Sequence, residues 1–551
     1  MELITAWVKP PTAIGGLDHL GTQAPCVLIY SQLLPGITNV TDRARYYSLY
    51  PWLVWSFEQR IPVANADTFI EFYRRADCLF SLIAERHARM TDHDSERHGG
   101  AMVGRNQLLP ALDRLESGQE LRLSEYTDKD SGRRYFLNPL GGLGQYYAGT
   151  LSQLELMDPS AKPWMRYTIE RGEPLAKAVD AAVPSDKFWS VIQADHVELA
   201  DLDALEPFCA CRIPQSKVEH QALTDIFFDR DAVYGALGEQ RRKSLALVLH
   251  LSRALHDAGG LDLDEDRFRA AIYAGTVPGQ VPWTVPGDLL STRDAWAIYE
   301  RNDLLSVTMQ SVFAICLNAL NPVGEQYEPD RSSVEAFAAD FSVSSEVKQA
   351  CLLLGHPTFG ALCAGLSEAG QVPTSWEAAN HEMQIVASLM AGVQRGGKVS
   401  TLIDQAVRAL ALLSLRDDQG AKPYGALSLS EDDLADYPVN LASFRARCAK
   451  WRDLPLAAMM GDLFAWLMNA HLRVALRKMR NNTQSTFRFR PTERGLRIVD
   501  DVPPPAPTTP RFRQAVQVLR DIGALTRDST LAGNPTMPST DGLQLMEEAG
   551  G

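Results

Sequence analysis

Histidine and carboxylate side chains at short spacing are what a metal centre requires, and the densest such run in this chain is His87-Ala-Arg-Met-Thr-Asp-His-Asp-Ser-Glu-Arg-His98. Its candidate ligands for zinc or manganese are His93, Asp94 and His98. The run lacks a His-x-x-x-His or His-Glu-x-x-His pattern and reads as an exposed loop, so neither a bound metal nor another cofactor is expected. Cys209-Ala-Cys211 is too close-set for the usual zinc half-site, and no second cysteine pair lies nearby. His250 and His256 fall on one helix at a spacing that does not share a face.

Other catalytic patterns are incomplete. Gly392-Val-Gln-Arg-Gly-Gly-Lys398 resembles a phosphate loop, but Val399 follows the lysine and the hydroxyl arrives one place late at Ser400. A helical pattern precedes it where a strand is needed. Gly141-Gly-Leu-Gly144 lacks the strand-to-helix context of a dinucleotide fold. Glu346-Val-Lys348 has the triplet of a restriction-type nuclease but sits in a helical region. A nucleophile elbow of the G-x-S-x-G type is absent. The reading is therefore of a binding protein rather than an enzyme, although a dispersed active site would leave no linear motif.

Two basic features could bind. Between His471 and Arg513 stand ten Lys or Arg against Glu493, Asp500 and Asp501, on a chain whose net charge is −14. A local basic stripe on an acidic protein is a stronger nucleic-acid signal than its overall charge. The phosphate-contacting residues expected from it are Arg473, Arg477, Lys478, Arg488, Arg490, Arg494 and Arg497. The same charges also suit a solvated helix face. The second feature is Arg43, Arg45, Tyr46, Tyr47 and Trp52, an arginine-aromatic cluster that could stack on bases or on a partner. The alternative is an aromatic core helix with arginine at its edge.

The elements that would carry these residues read as helices with small hairpins. Gly142–Met157 followed by Tyr167–Ala176, and Phe512–Leu525 followed by Pro538–Met546, each resemble the second half of a winged helix. In each, an amphipathic helix ends at a Leu-rich turn, and a Thr precedes a Gly before the next apolar helix. Long helical periods cover 67–90 and 293–320, further helices 332–341, 344–354, 375–392 and 400–416, and a helical pair 441–480. Residues 121–137 suggest a hairpin around Asp128–Gly132, and 486–499 a second one alternating Phe with Arg. Pro503–Pro510 is a stiff linker.

The fold expected is mainly α, a multi-domain helical protein with winged-helix-like modules and small β-hairpins. At 551 residues several domains are required. The divisions are an N-terminal helical domain over 1–185, a central helical domain over 186–425, a helical pair with the basic hairpin over 426–502, and a C-terminal module over 503–551. A hydrophobic fraction of 45% and dispersed cysteines suit a reducing cytoplasm. No uncharged run of about 18 apolar residues occurs, and the N-terminus lacks a basic and then apolar leader, so neither a membrane span nor a signal peptide is expected.

The segment Leu34-Pro-Gly-Ile-Thr-Asn-Val-Thr-Asp-Arg-Ala-Arg-Tyr-Tyr-Ser-Leu-Tyr-Pro-Trp52 resembles the N-terminal signature of an uncharacterised bacterial family associated with restriction and phage-defence gene clusters. The resemblance covers about a fifth of the chain and supplies no catalytic residue. It implies a subunit of a bacterial antiviral defence assembly, with DNA or another nucleic acid and other subunits of the complex as partners and no membrane. The alternatives are a metal-dependent hydrolase or nuclease built on His87–His98 and a protein-binding scaffold.

Overall fold

The computed structural model of this chain describes residues 18–61, 65–91, 98–320, 333–368, 373–418, 424–481 apart from 426, 428, 430 and 435, then 485–493 and 495–550. It is mainly α: the described residues form 23 α-helices and five two-stranded antiparallel sheets, besides a few short 3-10 and π turns. Two compact units are present, and both are discontinuous in sequence. One comprises Met1–Tyr30, Arg269–Trp283 and Arg293–Thr509, and the other Ser31–Phe268, Thr284–Thr292 and Pro510–Gly551.

In the first unit the helix Val399–Asp418 is covered by Ser345–Leu354, Phe359–Glu368 and Glu382–Gln394. The helix Leu456–Asn481 packs on Val334–Ser342, with the rings of Phe341 and Phe464 4.9 Å apart. Ser333, Ser344 and Asn440 each accept a backbone N–H two to three residues into the following helix, which fixes where these helices begin. Phe489–Thr492 pairs with Gly495–Ile498, as the alternation of Phe and Arg requires. The hairpin is rooted on His471, whose Nε2 accepts the Arg488 backbone N–H at 2.9 Å. The helix Gly287–Leu320 is long and apolar enough to cross a bilayer, but its most apolar window is 83% buried, which is the environment of a core helix.

The second unit is built around Arg45–Arg60, a helix buried on nearly every side and packed against Gly172–Asp180 and Ala66–Met90. Tyr46 lies 5.0 Å from the Tyr147 ring and Tyr47 5.0 Å from the Phe227 ring. Their polar tips are satisfied inside: Tyr47 Oη donates to the Gly36 carbonyl at 2.8 Å, and Trp52 Nε1 to Asp180 at 3.0 Å. A hairpin does not form around Asp128–Gly132. Leu121–Arg122 pairs instead with His196–Val197, and Ser124–Thr127 is one helical turn.

Both winged-helix-like stretches have the order helix, turn, hairpin, helix: Ala148–Gln153, Met157–Asp158, Arg166–Tyr167, Gly172–Asp180, and Phe512–Asp521, Leu525–Arg527, Thr536–Pro538, Thr540–Gly550. Their turns match bond for bond. The Leu156 N–H reaches back to Leu151 O, and Ala524 N–H to Leu519 O, each at 2.8 Å. Thr168 N–H donates to Leu156 O and Ser539 N–H to Ala524 O, each at 3.0 Å. Thr168 Oγ1 donates to Glu155 O and Ser539 Oγ to Gly523 O, each at 2.6 Å. Those hydroxyls in turn accept the Gly172 and Gly542 N–H groups at 3.0 and 3.1 Å. The equivalent of Thr168 is thus Ser539, not Thr540, although Ser539 stands three residues before its glycine and Thr168 four.

Candidate metal centre and basic hairpin

The second unit brings together four side chains that the sequence separates. His87 lies near the end of the helix Ala66–Met90 and is buried, as is His98. Cys209 stands in an extended conformation between two short 3-10 turns, Glu206–Phe208 and Ala210–Gln215, the second of which holds Cys211. His98 Nδ1 is 3.5 Å from Cys209 Sγ, and His87 Nδ1 is 3.6 Å from Cys211 Sγ. One ligand atom from each of the four lies within 4.8 Å of every other. The two imidazole rings meet edge to face, with centroids 4.5 Å apart.

The outer nitrogens are also held. His87 Nε2 lies 3.0 Å from Glu206 Oε1, and Glu206 is itself paired with Arg212. His98 Nε2 lies 3.2 Å from Thr91 Oγ1, and that hydroxyl donates to the His87 carbonyl at 2.8 Å. Hydrogen bonding by Cys211, with His87, His98 and Arg43 adding to it, holds the Cys209 thiol well below its ordinary pKa against the opposing effect of burial. Arg43 joins this cluster to the C-terminal module. Its Nη1 donates to the His98 and Gly100 carbonyls at 3.1 and 3.2 Å, while Nε and Nη2 donate to Asp521 at 3.0 and 2.9 Å.

This ligand set differs from His93, Asp94 and His98, the candidates on which the sequence predicts no bound metal. Of the predicted ligands only His98 takes part, whereas His93 and Asp94 lie outside the described residues. Sequence spacing hides the cysteine pair, because its complement is neither a second cysteine pair nor a near neighbour. Its partners are histidines 111 and 124 positions away. The usable signal is a Cys-x-Cys together with a histidine-rich run.

The arginine-aromatic cluster is not a partner surface. Arg43, Arg45, Tyr46, Tyr47 and Trp52 are all buried. Arg45 pairs with buried Glu219 at 2.7 Å, as Arg43 does with Asp521. Aromatic packing on Phe80, Tyr147, Phe227, Phe188 and Phe208, together with those two carboxylates, accounts for the density of such residues.

The basic stripe is partly consumed by internal bonds. Lys478 is buried and donates to the Asp18 carbonyl at 2.6 Å. Arg477 pairs with Asp436 at 3.2 Å, and Arg488 with Asp500 at 2.6 Å. Arg473 is exposed on its helix, and Arg494 lies outside the described residues. Arg490 and Arg497 are exposed and stand directly opposite each other across the hairpin. Neither forms an ion pair among the described residues.

Fold and site together define a class, a mainly helical protein of two units with a cysteine–histidine cluster and a basic hairpin. Comparison of the chain with family models, with characterised proteins and with solved structures finds no match.

Proposed function

We propose that this chain is a non-enzymatic binding subunit of a bacterial antiviral defence assembly, and that its hairpin Phe489–Ile498 binds nucleic-acid phosphates. The observation carrying the reading is the cross-strand pair Arg490 and Arg497. Like charges directly opposite on a sheet repel and are destabilising, so an exposed pair of this kind is relieved by an anion placed between them. Exposed Arg473 and Arg480 on the preceding helix extend the positive field. The resemblance of Leu34–Trp52 to defence-associated proteins supports the assembly, and the hairpins of the two winged-helix-like modules suit docking of duplex or partner.

The test is a salt titration of DNA binding by the full chain and by an Arg490→Ala, Arg497→Ala double variant. Removing one phosphate-binding cation flattens the log-affinity against log-salt slope by about 0.9 on duplex DNA. A flattening of roughly 1.8 in slope is expected for the pair. Equal slopes in the two proteins, or no wild-type binding at about 50 mM salt, would favour the scaffold reading.

A further inference from the structure

From the cluster His87, His98, Cys209 and Cys211 we infer a closed, structural zinc site. Zinc binds cysteine sulfur at about 2.3 Å and histidine nitrogen at about 2.0–2.1 Å in a tetrahedron. The nitrogen-to-sulfur edge of that tetrahedron is then about 3.6 Å. Two such edges of the cluster measure 3.5 and 3.6 Å. Ordinary packing does not impose this convergence, because nothing in a Cys–His contact requires a second pair within 4.8 Å of the first.

The orientation of the rings carries the inference further. Both histidines turn Nδ1 inward and have Nε2 engaged outside, His87 by the Glu206 carboxylate and His98 by the Thr91 hydroxyl. Zinc-bound histidines almost always donate their other nitrogen to such a partner, which fixes the tautomer that leaves the inner nitrogen free to ligate. Two thiolates and two neutral imidazoles give a complex of no net charge with Zn²⁺, which suits the burial of His87, His98 and Cys209. The mixed sulfur and nitrogen set in a tetrahedral arrangement selects zinc over magnesium, calcium or manganese. Four protein ligands fill the coordination sphere. A hydrolytic centre needs one position for water, so the ion has a structural role. It fastens the end of Ala66–Met90 to the 3-10 turn at Ala210–Gln215, across an intervening chain of over a hundred residues.

The experiment is metal analysis of the full chain purified without chelator under reducing conditions. About one zinc per chain is expected, absent from a Cys209→Ser, Cys211→Ser variant. Because that variant could fail to fold, the wild-type chain is also stripped and titrated with Co²⁺. A tetrahedral S2N2 site gives intense visible d–d bands and a thiolate-to-cobalt charge-transfer band at one equivalent. Glu206→Gln keeps all four ligands and is expected to weaken zinc 10- to 100-fold in a chelator competition. Absence of zinc together with no tetrahedral cobalt spectrum would overturn the site. A different metal at one per chain would overturn the choice of ion, and unchanged zinc affinity in Glu206→Gln would overturn the role of that carboxylate.

Discussion

Arg43 is wholly buried, yet each of its three guanidinium nitrogens is bonded, two of them to Asp521 and the third to backbone carbonyls beside a histidine of the cysteine–histidine cluster. Breaking one side of such a pair strands a charge in a low-dielectric interior, whereas replacing both partners by apolar residues is often neutral. Asp521→Asn is therefore expected to cost about 3–5 kcal/mol in denaturant unfolding, and an Arg43→Met, Asp521→Leu double variant much less. A double variant as unstable as the single one would show that the hydrogen bonds to His98 and Gly100, not the charge pair, dominate. His471 gives a second residue-level effect. Its Nδ1 bonds the His19 carbonyl at 3.0 Å and its Nε2 accepts from Arg488 N–H at 2.9 Å, an arrangement that only the neutral ring can make. Burial, then Arg488 and Lys478, lower its pKa to about 4. The unfolded chain takes up this proton near pH 6.5, but the folded one does not until about pH 4. Stability is thus fully present above pH 6.5 and falls as the pH drops towards 4, by on the order of 3 kcal/mol. His471→Gln should flatten the pH dependence of unfolding across that window without abolishing it, because the pKa of buried His19 is also lowered, to about 3. None of this is visible in the sequence. Asp521 lies 478 positions from Arg43, and Glu219 lies 174 from Arg45. A buried arginine and a surface arginine look alike until the partner carboxylate is placed.

Elements are far more legible. The helical periods at 67–90, 293–320, 400–416 and 441–480 correspond to Ala66–Met90, Gly287–Leu320, Val399–Asp418 and the pair Leu441–Trp451 and Leu456–Asn481. The alternation at 486–499 marks a true hairpin, because period two is a local property of the chain. The hairpin expected at Asp128–Gly132 is missing because Leu121–Arg122 finds a partner at His196–Val197, a long-range choice that no local turn signal records. The matched turns of the two modules make a sharp element-level prediction. A Cβ on Gly172 would stand 2.2 Å from the Leu156 carbonyl oxygen, and one on Gly542 2.1 Å from that of Ala524. Backbone cannot retreat as a flexible side chain can, so Gly172→Ala and Gly542→Ala should each cost about 1–3 kcal/mol or more by overpacking. Gly149, with open space at its Cβ position, is the control. Its change to Ala should be neutral or raise stability by up to about 1 kcal/mol through helix propensity. Similar destabilisation at Gly149 and at the other two would remove the close approach as the cause.

At the scale of the whole molecule, composition foretells more than one core but not how the chain is shared between them. Patterning along a sequence suggests domains in series, whereas here the residues from Pro510 onward belong with Ser31–Phe268. Helix Gly235–Asp257 packs on Thr540–Gly550 and on the strand Thr536–Pro538, and Ser252 Oγ donates to the Thr536 carbonyl at 3.0 Å. A chain ending at Thr509 should therefore lose cooperative unfolding of the second unit, and calorimetry would check this as the disappearance of one transition. Two transitions of unchanged midpoint would make the C-terminal module dispensable. The same arrangement sets a timetable for biosynthesis. Ribosomes add about 5–20 residues per second, so the 478 positions from Arg43 to Asp521 take roughly 25–95 s to make. Throughout that interval the nascent chain carries a guanidinium whose carboxylate has not been translated. Most of the second unit, Ser31–Phe268, is made before the bulk of the first, but it can close only after every residue of the first unit has been made.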